Sequence, residues 1–434
     1  MGDGVGKGQD RRTFLRGVVG AVAASATASP LQGLTELSPG PEGRLGRRRE
    51  DPWDVIVVGA GVFGAWTAFQ LLRSGKSVLL VDAAGPAHAG ASSGGESRVT
   101  RTIYGSDDIY TRMAWDSLED WRWLSARSGL PVFHPTGVVM LFDEMSEYVE
   151  GSLAAHRRMD LPLETLDRSA LARRLPQMDL QGIGFGLFEP GLGALMARRG
   201  VQTLVQEFVA GGGEFRQAVV VPPDEDADRL QKLTTAGGGT LEADRFVFAC
   251  GPWLPKVFPT LVGTRIFPTR QEVFYFAPPP GNPNYGSDRL PTWADFNGGD
   301  VYYGFPDLES RGFKIAHDLH GPPIDPDTAE RVTSEEGLAD IRAYLRRRFP
   351  EMVDRPLVES RVCQYENSSN GDFLVDFHPR WPNVLLLGGG SGHGFKHGPA
   401  LGRHALRVLE DGRSAVERRF SLATKEEVQR REVH

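Results

Sequence analysis

Short runs of apolar residues that end in glycines occur at three distant places along the chain. Residues 55–58 lead into Gly59-Ala60-Gly61-Val62-Phe63-Gly64, residues 246–249 lead into Cys250-Gly251, and residues 384–387 lead into a glycine-rich stretch that ends at Gly394. A short, continuous apolar run suits a strand that is buried on both faces, as in a parallel sheet. The pattern therefore predicts one parallel sheet assembled from distant parts of the chain.

Between these runs the hydrophobic period changes and predicts the other elements. Residues 107–129 place Leu118, Trp121 and Leu124 at the spacing of the buried face of a helix. From 264 to 349 the chain carries short alternating strands, which favour a mostly antiparallel second domain. The predicted helices are 62–74, 107–129, 197–210, 335–349 and 399–409, with charged helical sequence over 144–174. The predicted strands are 55–58, 77–81, 137–142, 214–221, 240–243, 245–249, 270–277, 301–305, 312–316, 361–365, 373–376 and 384–388, and 181–196 is predicted as a glycine-rich loop.

The first glycine-rich turn has the spacing Gly-x-Gly-x-x-Gly between a predicted strand and a predicted helix. Gly59 allows the tight turn, Gly61 lets the backbone approach a pyrophosphate, and Gly64 permits close packing of helix on strand. The helix that follows directs its N-terminal N–H groups at that phosphate. This turn alone is weak evidence, because glycine-rich turns are common.

A carboxylate stands where dinucleotide-binding folds need one. Asp82 ends the second predicted strand, 18 residues after Gly64. An acidic residue at this position accepts the ribose 2′-OH and disfavours a 2′-phosphate. The turn in this context predicts a dinucleotide site, against the alternative of an ordinary βαβ turn, and leaves NAD and FAD both open.

Four basic residues lie near these turns or inside apolar sequence. Arg98 and Arg101 share one face if their segment opens a helix, as cations that face an anionic ligand would; a solvated pair is the alternative. Lys314 lies inside an otherwise apolar strand, where it is either buried for a purpose or, as periodicity alone favours, placed on an edge strand. Lys396 follows the third glycine run and either meets an anion or is solvated. His393, between glycines, is expected to be structural.

Composition and charge limit the possible functions. The 434 residues exceed what one hydrophobic core usually serves, so two domains are expected. The formal net charge of −7 gives no basis for nucleic-acid binding, which needs a basic face. Cys250 and Cys363 make no disulfide framework, although an exported protein could pair them. No CxxC occurs and the histidines show no spaced cluster with carboxylates, so no metal site is predicted.

The N-terminal region is not expected to belong to the fold. Arg11 and Arg12 form a twin-arginine pattern before a mild apolar run that is too short and too rich in small residues for a confident membrane span. Small residues at its end could form a cleavage site, and a disordered basic tail is the alternative. We predict a twin-arginine signal peptide over 1–28, a linker over 29–52, export to the periplasm or medium, and no stable membrane span after signal removal.

Several sequence blocks in the right order resemble one family. They are DVIVVGAGVFG with Asp82, SRVTRTIYG (97–105), FEPGLGAL (188–195), YYGFPDLESRGFKIAHDLHGPPIDPDT (302–328), RVCQY (361–365), DFHP (376–379) and GGSGHGFKHGPALG (389–402). Over roughly residues 53–409 the chain is similar to FAD-dependent amine oxidoreductases of the D-amino-acid-oxidase type, most of all to monomeric sarcosine oxidase and N-methyl-amino-acid oxidases. Several ordered blocks are far more specific than any one of them.

The resemblance implies an α/β fold in which a Rossmann-like FAD-binding domain carries a second, mostly antiparallel α+β substrate domain. The FAD-binding domain is expected to be discontinuous, over 53–133, 184–262 and 362–420, and the substrate domain to span 134–183 and 263–361. A monomer is expected. The implied partners are a small amino acid substrate and O2.

Roles around the flavin follow from the same resemblance. Arg98 aligns with the arginine beside the flavin ring, Lys314 with the lysine that promotes reaction of reduced flavin with oxygen, and Cys363 with the cysteine that forms an 8α-thioether to FAD. A buried ammonium at Lys314 would stabilise the negative charge that develops on oxygen. The expected catalytic residues are Lys314 and Arg98, and the expected FAD-binding residues are Gly59, Gly61, Gly64, Asp82, Arg98, Cys363, Gly392 and Gly394.

Roles around the substrate follow likewise. Arg101 and Lys396 align with the pair that holds the substrate carboxylate, and Tyr303 and Tyr365 align with aromatic walls of the pocket. A carboxylate held by two cations orients the amine-bearing carbon over the flavin.

The chain departs from the sarcosine oxidase pattern at two positions. Gly94 and Asp318 stand where that family has pocket histidines. Sarcosine, a bulkier or cyclic amino acid, and an amine with a second cationic group facing Asp318 therefore remain open as substrates.

The reaction implied is the oxidation of a secondary or primary amine of an amino acid to an imine, with O2 reduced to H2O2. Lys314 favours this reaction over the alternative of a dehydrogenase that passes electrons to a quinone or carrier protein. A non-catalytic, flavin-bearing binding subunit is the third interpretation. NAD as the only cofactor is disfavoured, because the second glycine-rich turn and Cys363 would then have no role.

Overall fold

In the computed structural model, which describes residues 52–224, 228–319 and 321–429, helices surround three β-sheets. The strands are β1 (Trp53–Val58), β2 (Val78–Asp82), β3 (Ser97–Thr100), β4 (Phe133–His134), β5 (Val138–Phe142), β6 (Glu164–Asp167), β7 (Phe185–Glu189), β8 (Gly193–Met196), β9 (Glu214–Gln217), β10 (Lys232–Thr234), β11 (Thr240–Phe248), β12 (Ile266–Phe276), β13 (Thr292–Asp295), β14 (Tyr302–Phe305), β15 (Phe313–His317), β16 (Leu357–Ser368), β17 (Leu374–Phe377) and β18 (Val384–Gly388). The α-helices are α1 (Val62–Arg73), α2 (Asp108–Arg127), α3 (Glu147–Met159), α4 (Arg168–Arg174), α5 (Ala197–Ala210), α6 (Leu254–Val257), α7 (Pro259–Val262), α8 (Glu335–Arg348) and α9 (Gly398–Asp411).

The first sheet has the order β17-β18-β11-β1-β2-β9, with β10 beside β11. Strands β18, β11, β1, β2 and β9 run parallel, and β17 and β10 pair antiparallel at the margins. Val55 and Val57 of β1 pack into the core shared with α1, α5 and α9, whereas Ile56 and Val58 pack into a second core beside α6 and α7. The continuous apolar runs therefore form a sheet buried on both faces, which confirms the predicted α/β class.

The second sheet has the order β16-β12-β15-β14-β13-β5-β7-β6 and is antiparallel except where β13 runs parallel to β5. Phe313 and Ile315 of β15 face a core that includes residues of α8. Because side chains alternate along a strand, Lys314 and Ala316 lie on the opposite face. This face, which also carries Tyr303, borders the candidate site.

The third sheet, β3-β8-β4, corrects two predictions. The segment of Arg98 is a strand and does not open a helix, so Arg98 and Arg101 are not brought together by helical spacing. Residues 181–196 are not a loop, because β7 and β8 form there. These strands form because they pair with neighbouring strands, which local sequence does not reveal. Gly186 does not mark a turn but allows close packing, because a Cβ there would lie 2.9 Å from Leu171 Cδ2.

The structure also bears on the predicted helical segment at 144–174 and on the two cysteines. The helical sequence over 144–174 divides into α3, β6 and α4. Cys250 and Cys363 are free thiols, so the disulfide that an exported protein could have formed between them is absent. The predicted signal peptide and nearly all of the linker lie outside the described residues, and the domain boundaries stay a prediction. No helix among the described residues is long and apolar enough to cross a membrane, and no group of three or more His, Cys, Asp or Glu in that part of the chain is placed to hold a metal ion.

Candidate functional site

A cavity of about 580 Å³ lies between the two glycine-rich turns. Six residues predicted to bind the cofactor line it: Gly59, Gly61, Asp82, Arg98, Gly392 and Gly394. Gly64 is not among the lining residues, and Cys363 lies two residues before the lining Tyr365 on β16. The structure therefore brings six of the eight predicted cofactor residues, which are spread over the chain, to one cavity.

The three glycines of the first turn have different surroundings. Gly59 has φ +104°, and a Cβ there would lie 2.3 Å from Ala249 O; a Cβ on Gly64 would lie 1.8 Å from Gly59 O. Gly61, by contrast, has an ordinary φ of −77°, and its Cβ would meet only Ser93 Oγ at 3.6 Å. The protein itself thus requires Gly59 and Gly64, whereas the space over Gly61 is left open for a ligand.

Alanine substitutions separate these two requirements. We expect Gly61→Ala to fold with an unchanged melting temperature and to bind FAD about tenfold or more weakly, because the methyl group occupies the space that the pyrophosphate would approach. Gly64→Ala should instead lower the free energy of unfolding of the apoprotein by about 1–3 kcal/mol through overpacking. Flavin fluorescence titration of apoproteins that carry Cys363→Ala, so that FAD binds reversibly, measures the first effect, and thermal unfolding measures the second. Equal FAD affinity with and without Gly61→Ala would contradict the first.

Asp82 is fixed at the cavity wall by backbone donors. Its Oδ2 accepts a hydrogen bond from Ala60 N at 2.7 Å, and its Oδ1 accepts from Ala84 N at 2.9 Å and Gly85 N at 2.8 Å. The carboxylate is therefore held next to the first turn, where it could accept a hydrogen bond from a ribose hydroxyl.

The second glycine-rich turn lets two aromatic rings approach its backbone. A Cβ on Gly392, which has φ +76°, would lie 2.8 Å from the ring of Tyr365, and a Cβ on Gly394 would lie 2.7 Å from Phe63 of α1. Helix α9 follows after a short 3-10 turn, with Gly398 against Trp66 of α1. The two turns and the two helices that follow them thus pack together around the cavity.

Arg98 lies among the groups predicted for the flavin ring. Its guanidinium donates to Ser97 O at 2.8 Å and to Ser92 O at 2.5 Å. Burial opposes its charge, but the nearby ionisable groups of Cys363, Tyr303 and Tyr365, together with Tyr275, offset burial and raise the pKa of Arg98. The structure therefore places Arg98 near both the predicted attachment thiol and the predicted aromatic walls.

Lys314 is buried at the centre of the second sheet. Strand β15 lies between β12 and β14, so the edge-strand alternative is wrong. Its Nζ donates to Ser97 O at 2.9 Å and Oγ at 3.2 Å and lies 4.6 Å from the ring centroid of Phe305. Burial, and then the neighbouring charge of Arg98, lower the pKa of Lys314 to about 7. This amine consequently changes charge near neutral pH.

Arg101 and Lys396, termed the cation pair below, meet at one aromatic ring. Arg101 Cζ lies 4.2 Å and Lys396 Nζ 5.2 Å from the ring centroid of Tyr104. Lys396 is only 4% exposed and its Nζ donates to His393 O at 2.8 Å, so the solvated alternative is wrong for this residue. Phe395, next to Lys396, lines the cavity. The pair is suited to hold an anionic group beside the cavity.

Asp318 joins the two tyrosines predicted as pocket walls. Tyr365 OH donates to Asp318 Oδ1 at 2.8 Å, and Tyr303 and Tyr365 share a hydrogen bond. Asp318 also acts electrostatically on Arg101. Gly94, the other departure from the family pattern, is enclosed by backbone, since a Cβ there would lie 2.0 Å from His88 O.

Three further residues lie at the site and were not predicted from the sequence. Ser97 holds Lys314, and Tyr275 is its direct cross-strand neighbour. Glu366 lines the cavity, and burial raises its pKa to about 8. Ser97 lies inside a quoted block and could have been suspected, whereas the positions of Tyr275 and Glu366 depend on strand pairing that no local pattern reveals.

The sequence of this chain is similar to those of known flavin-dependent oxidoreductases. A family model described as FAD dependent oxidoreductase (DAO) matches residues 54–407. Monomeric sarcosine oxidase of Bacillus sp. (strain B-0618) is 29% identical over 83% of this chain and 93% of its own length, and N-methyl-L-tryptophan oxidase of Yersinia pestis (strain Pestoides F) is 27% identical over 86% and 99%.

Solved structures share the fold at lower identity. L-proline dehydrogenase from P. horikoshii has a TM-score of 0.74 at 16% identity, covering 86% of this chain and 97% of that one. NikD, an amino acid oxidase of nikkomycin biosynthesis, has a TM-score of 0.69 at 22% identity with the same coverage. These structures support the α/β architecture described above.

Proposed function

Because the chain belongs to the family of FAD dependent oxidoreductases, we propose that it oxidises the secondary or primary amine of an amino acid to an imine and reduces O2 to H2O2. The observation that carries the proposal is the cation pair next to the cavity, which offers two positive charges for a substrate carboxylate. Sarcosine and N-methyltryptophan, named by the relatives, are amino acids with secondary amines.

The cavity has features that fit FAD. The open space over Gly61 suits a pyrophosphate, and Asp82 suits a ribose hydroxyl. Ser92 Oγ and Glu366 Oε1 are buried without a hydrogen-bond partner among the described residues, and both residues line the cavity. Unpaired buried polar atoms at a cavity wall are what a bound polar ligand would satisfy.

The protein's own residues supply position and charge. When bound, FAD provides the acceptor for the two electrons that leave the substrate with one C–H and one N–H hydrogen. The cation pair orients the carboxylate and disfavours a protonated amine nearby, so that the amine is neutral when its carbon is oxidised. Lys314 supplies positive charge where O2 takes up two electrons and two protons.

Anaerobic mixing of the purified full chain with amino acids tests the proposal. We expect sarcosine, N-methyl-L-tryptophan or L-proline to remove the visible flavin absorbance, and air to restore it with one H2O2 per substrate oxidised. Colourless protein, or flavin that no amino acid reduces, would overturn it; the latter result would favour the non-catalytic interpretation.

Asp318 bears on the choice of substrate. Its carboxylate, bonded to Tyr365 and close to Arg101, adds negative charge to the pocket. We propose that it favours substrates with a second cationic group, although a large or cyclic side chain remains compatible with these walls. Comparing kcat/KM for Nα-methyl-L-lysine and Nα-methyl-L-norleucine tests this, and equal values would contradict it.

A dehydrogenase that passes electrons to a quinone or carrier protein is the second candidate. The buried lysine at the second sheet favours the oxidase, because an electron carrier does not need a fixed positive charge for O2. Turnover with an artificial acceptor that greatly exceeds turnover with O2 would favour the dehydrogenase.

Covalent attachment of FAD through Cys363 is part of the proposal. Its support is the position of Cys363 beside Arg98 and Lys314. We expect acid-precipitated wild type to retain yellow flavin in the pellet and Cys363→Ala to release it, with Cys250→Ala as the matched control that retains it. Flavin released from wild type would show that the attachment is wrong.

Export through the twin-arginine pathway and a monomeric state complete the proposal. The pattern at Arg11 and Arg12 supports the first, and the relative named as a monomeric oxidase supports the second. Cell fractionation of wild type against Arg11→Lys/Arg12→Lys, and light scattering of the purified protein, test them; equal fractionation or a dimer mass would contradict them.

A further inference from the structure

The ring of Tyr104 is close to both members of the cation pair. Its ring centroid lies 4.2 Å from Arg101 Cζ and 5.2 Å from Lys396 Nζ, and the residue is buried. Two cations held near one ring repel each other, and each is attracted by the negative face of the ring. Tyr104 thus offsets part of the repulsion inside the pair.

The ring itself is held by two histidines, one inside the second glycine-rich turn and one just after it. Tyr104 OH shares hydrogen bonds with His397 Nε2 at 2.8 Å and His393 Nδ1 at 3.3 Å. Burial, with the charges of Lys396 and Arg101 adding to it, lowers the pKa of His397 well below its ordinary range. At neutral pH His397 is therefore uncharged and contributes an anchor without a third cation.

We propose that Tyr104 is a positioning residue that keeps Arg101 and Lys396 converged and charged for the substrate carboxylate. This inference rests on the proposed function, because it assumes that the pair binds a carboxylate.

The aromatic chemistry of the group that both cations approach supports this role. A carboxylate placed against the two cations would neutralise them and compete with the substrate, whereas an aromatic face stabilises both without cancelling their charge. Two acids, Glu189 and Asp318, act electrostatically on Arg101 and also accept other hydrogen bonds: Asp318 Oδ1 accepts from Tyr365, and Glu189 Oε1 accepts from Thr102 N.

Two substitutions separate the ring from its hydroxyl. Tyr104→Leu removes both, and Tyr104→Phe keeps the ring but loses the histidine anchor. Tyr110→Phe is the matched control, because Tyr110 packs 4.8 Å from His393 in the same cluster while its hydroxyl donates to Asp372 and its ring contacts neither member of the cation pair. All variants are prepared as flavin-containing full-length protein.

Acetate, a carboxylate without an amine, is the binding probe. Its binding is measured by the change that it causes in the visible absorption spectrum of the flavin. We expect Tyr104→Leu to bind acetate about tenfold or more weakly, Tyr104→Phe to lie in between, and Tyr110→Phe to match wild type. The rate of anaerobic reduction by N-methyl-L-tryptophan at low concentration should fall in parallel, whereas reduction by N-methyltryptamine, which lacks the carboxylate, should not change.

The outcomes distinguish the inference from the proposed function. Wild type that neither binds acetate nor is reduced by any amino acid would contradict the proposed function itself. Wild type that does both, with Tyr104→Leu equal to it, would overturn the role of Tyr104 alone. Equal losses with both N-methyl compounds, or a loss of flavin content and thermal stability that accounts for the change, would show that Tyr104 is only structural.

Discussion

Replacing Lys314 by methionine should slow the reaction of reduced enzyme with O2 by about 10²–10³-fold, as the loss of one preorganised hydrogen-bond donor to a developing negative charge does at other sites. Anaerobic reduction by substrate should stay within about threefold of wild type, because the cation pair that orients the substrate is untouched. Stopped-flow measurement of the two half-reactions separates these effects. An unchanged rate with O2 would show that Lys314 has no role in oxygen reduction.

The pH dependence provides a second readout of Lys314. Because burial lowers its pKa to about 7, its ammonium is present below that pH and lost above it, so the wild-type rate with O2 should fall as pH rises through about 7. The methionine variant should lack this dependence. Lys232→Met, at an exposed position of β10, serves as the control and should keep it.

Replacing Lys314 by methionine should raise the stability of the fold while it lowers the rate of reaction with O2. The folded pKa of Lys314 lies below its unfolded value of 10.5, so between these values the unfolded chain binds one more proton and stability increases with pH. At neutral pH the lysine therefore destabilises the fold, and Lys314→Met should melt at a higher temperature than wild type. A loss of oxygen reactivity accompanied by a lower melting temperature would not support the assignment.

The second large effect concerns the cation pair. Arg101→Leu or Lys396→Met should lower kcat/KM for an N-methyl amino acid by about 10²-fold or more, because the carboxylate is no longer held and oriented. The double variant should lose much less than the product of the single losses, since both residues act on one carboxylate.

A substrate without a carboxylate is the internal control for that experiment. Reduction by N-methyltryptamine should be insensitive to either substitution, and Arg112→Leu, at an exposed position of α2, should behave as wild type with all substrates. Equal losses with and without the substrate carboxylate would mean that the pair serves the fold or the flavin.

The local sequence pattern was sufficient to predict elements whose apolar residues recur with the period of a helix or a strand. The apolar runs of β1, β11 and β18 and the amphipathic spacing of α2 appear in the structure close to their predicted bounds. Gly59 and Gly64 are likewise required by positive φ or close backbone contacts that the motif foretells. In these segments, residues that are close in sequence determine which side chains are buried and which backbone geometry is adopted.

Features that depend on strand pairing could not be predicted in the same way. The central position of Lys314 follows from the order β12-β15-β14, and β3 and β8 exist because they pair with each other. The meeting of Arg101 and Lys396 at Tyr104 joins residues almost 300 positions apart. Only the family resemblance indicated that the two cations act together, and it gave no role to the ring that both approach.

The two glycine-rich turns impose an order of events on biosynthesis. Strands β1 and β18 both flank β11, yet more than 300 residues separate them along the chain. A nascent chain can form the first turn early, but the ribosome must release the last part before the opposite wall of the cavity exists. Stable capture of the flavin should consequently require that synthesis has passed the second turn, and a product truncated before residue 384 should remain colourless.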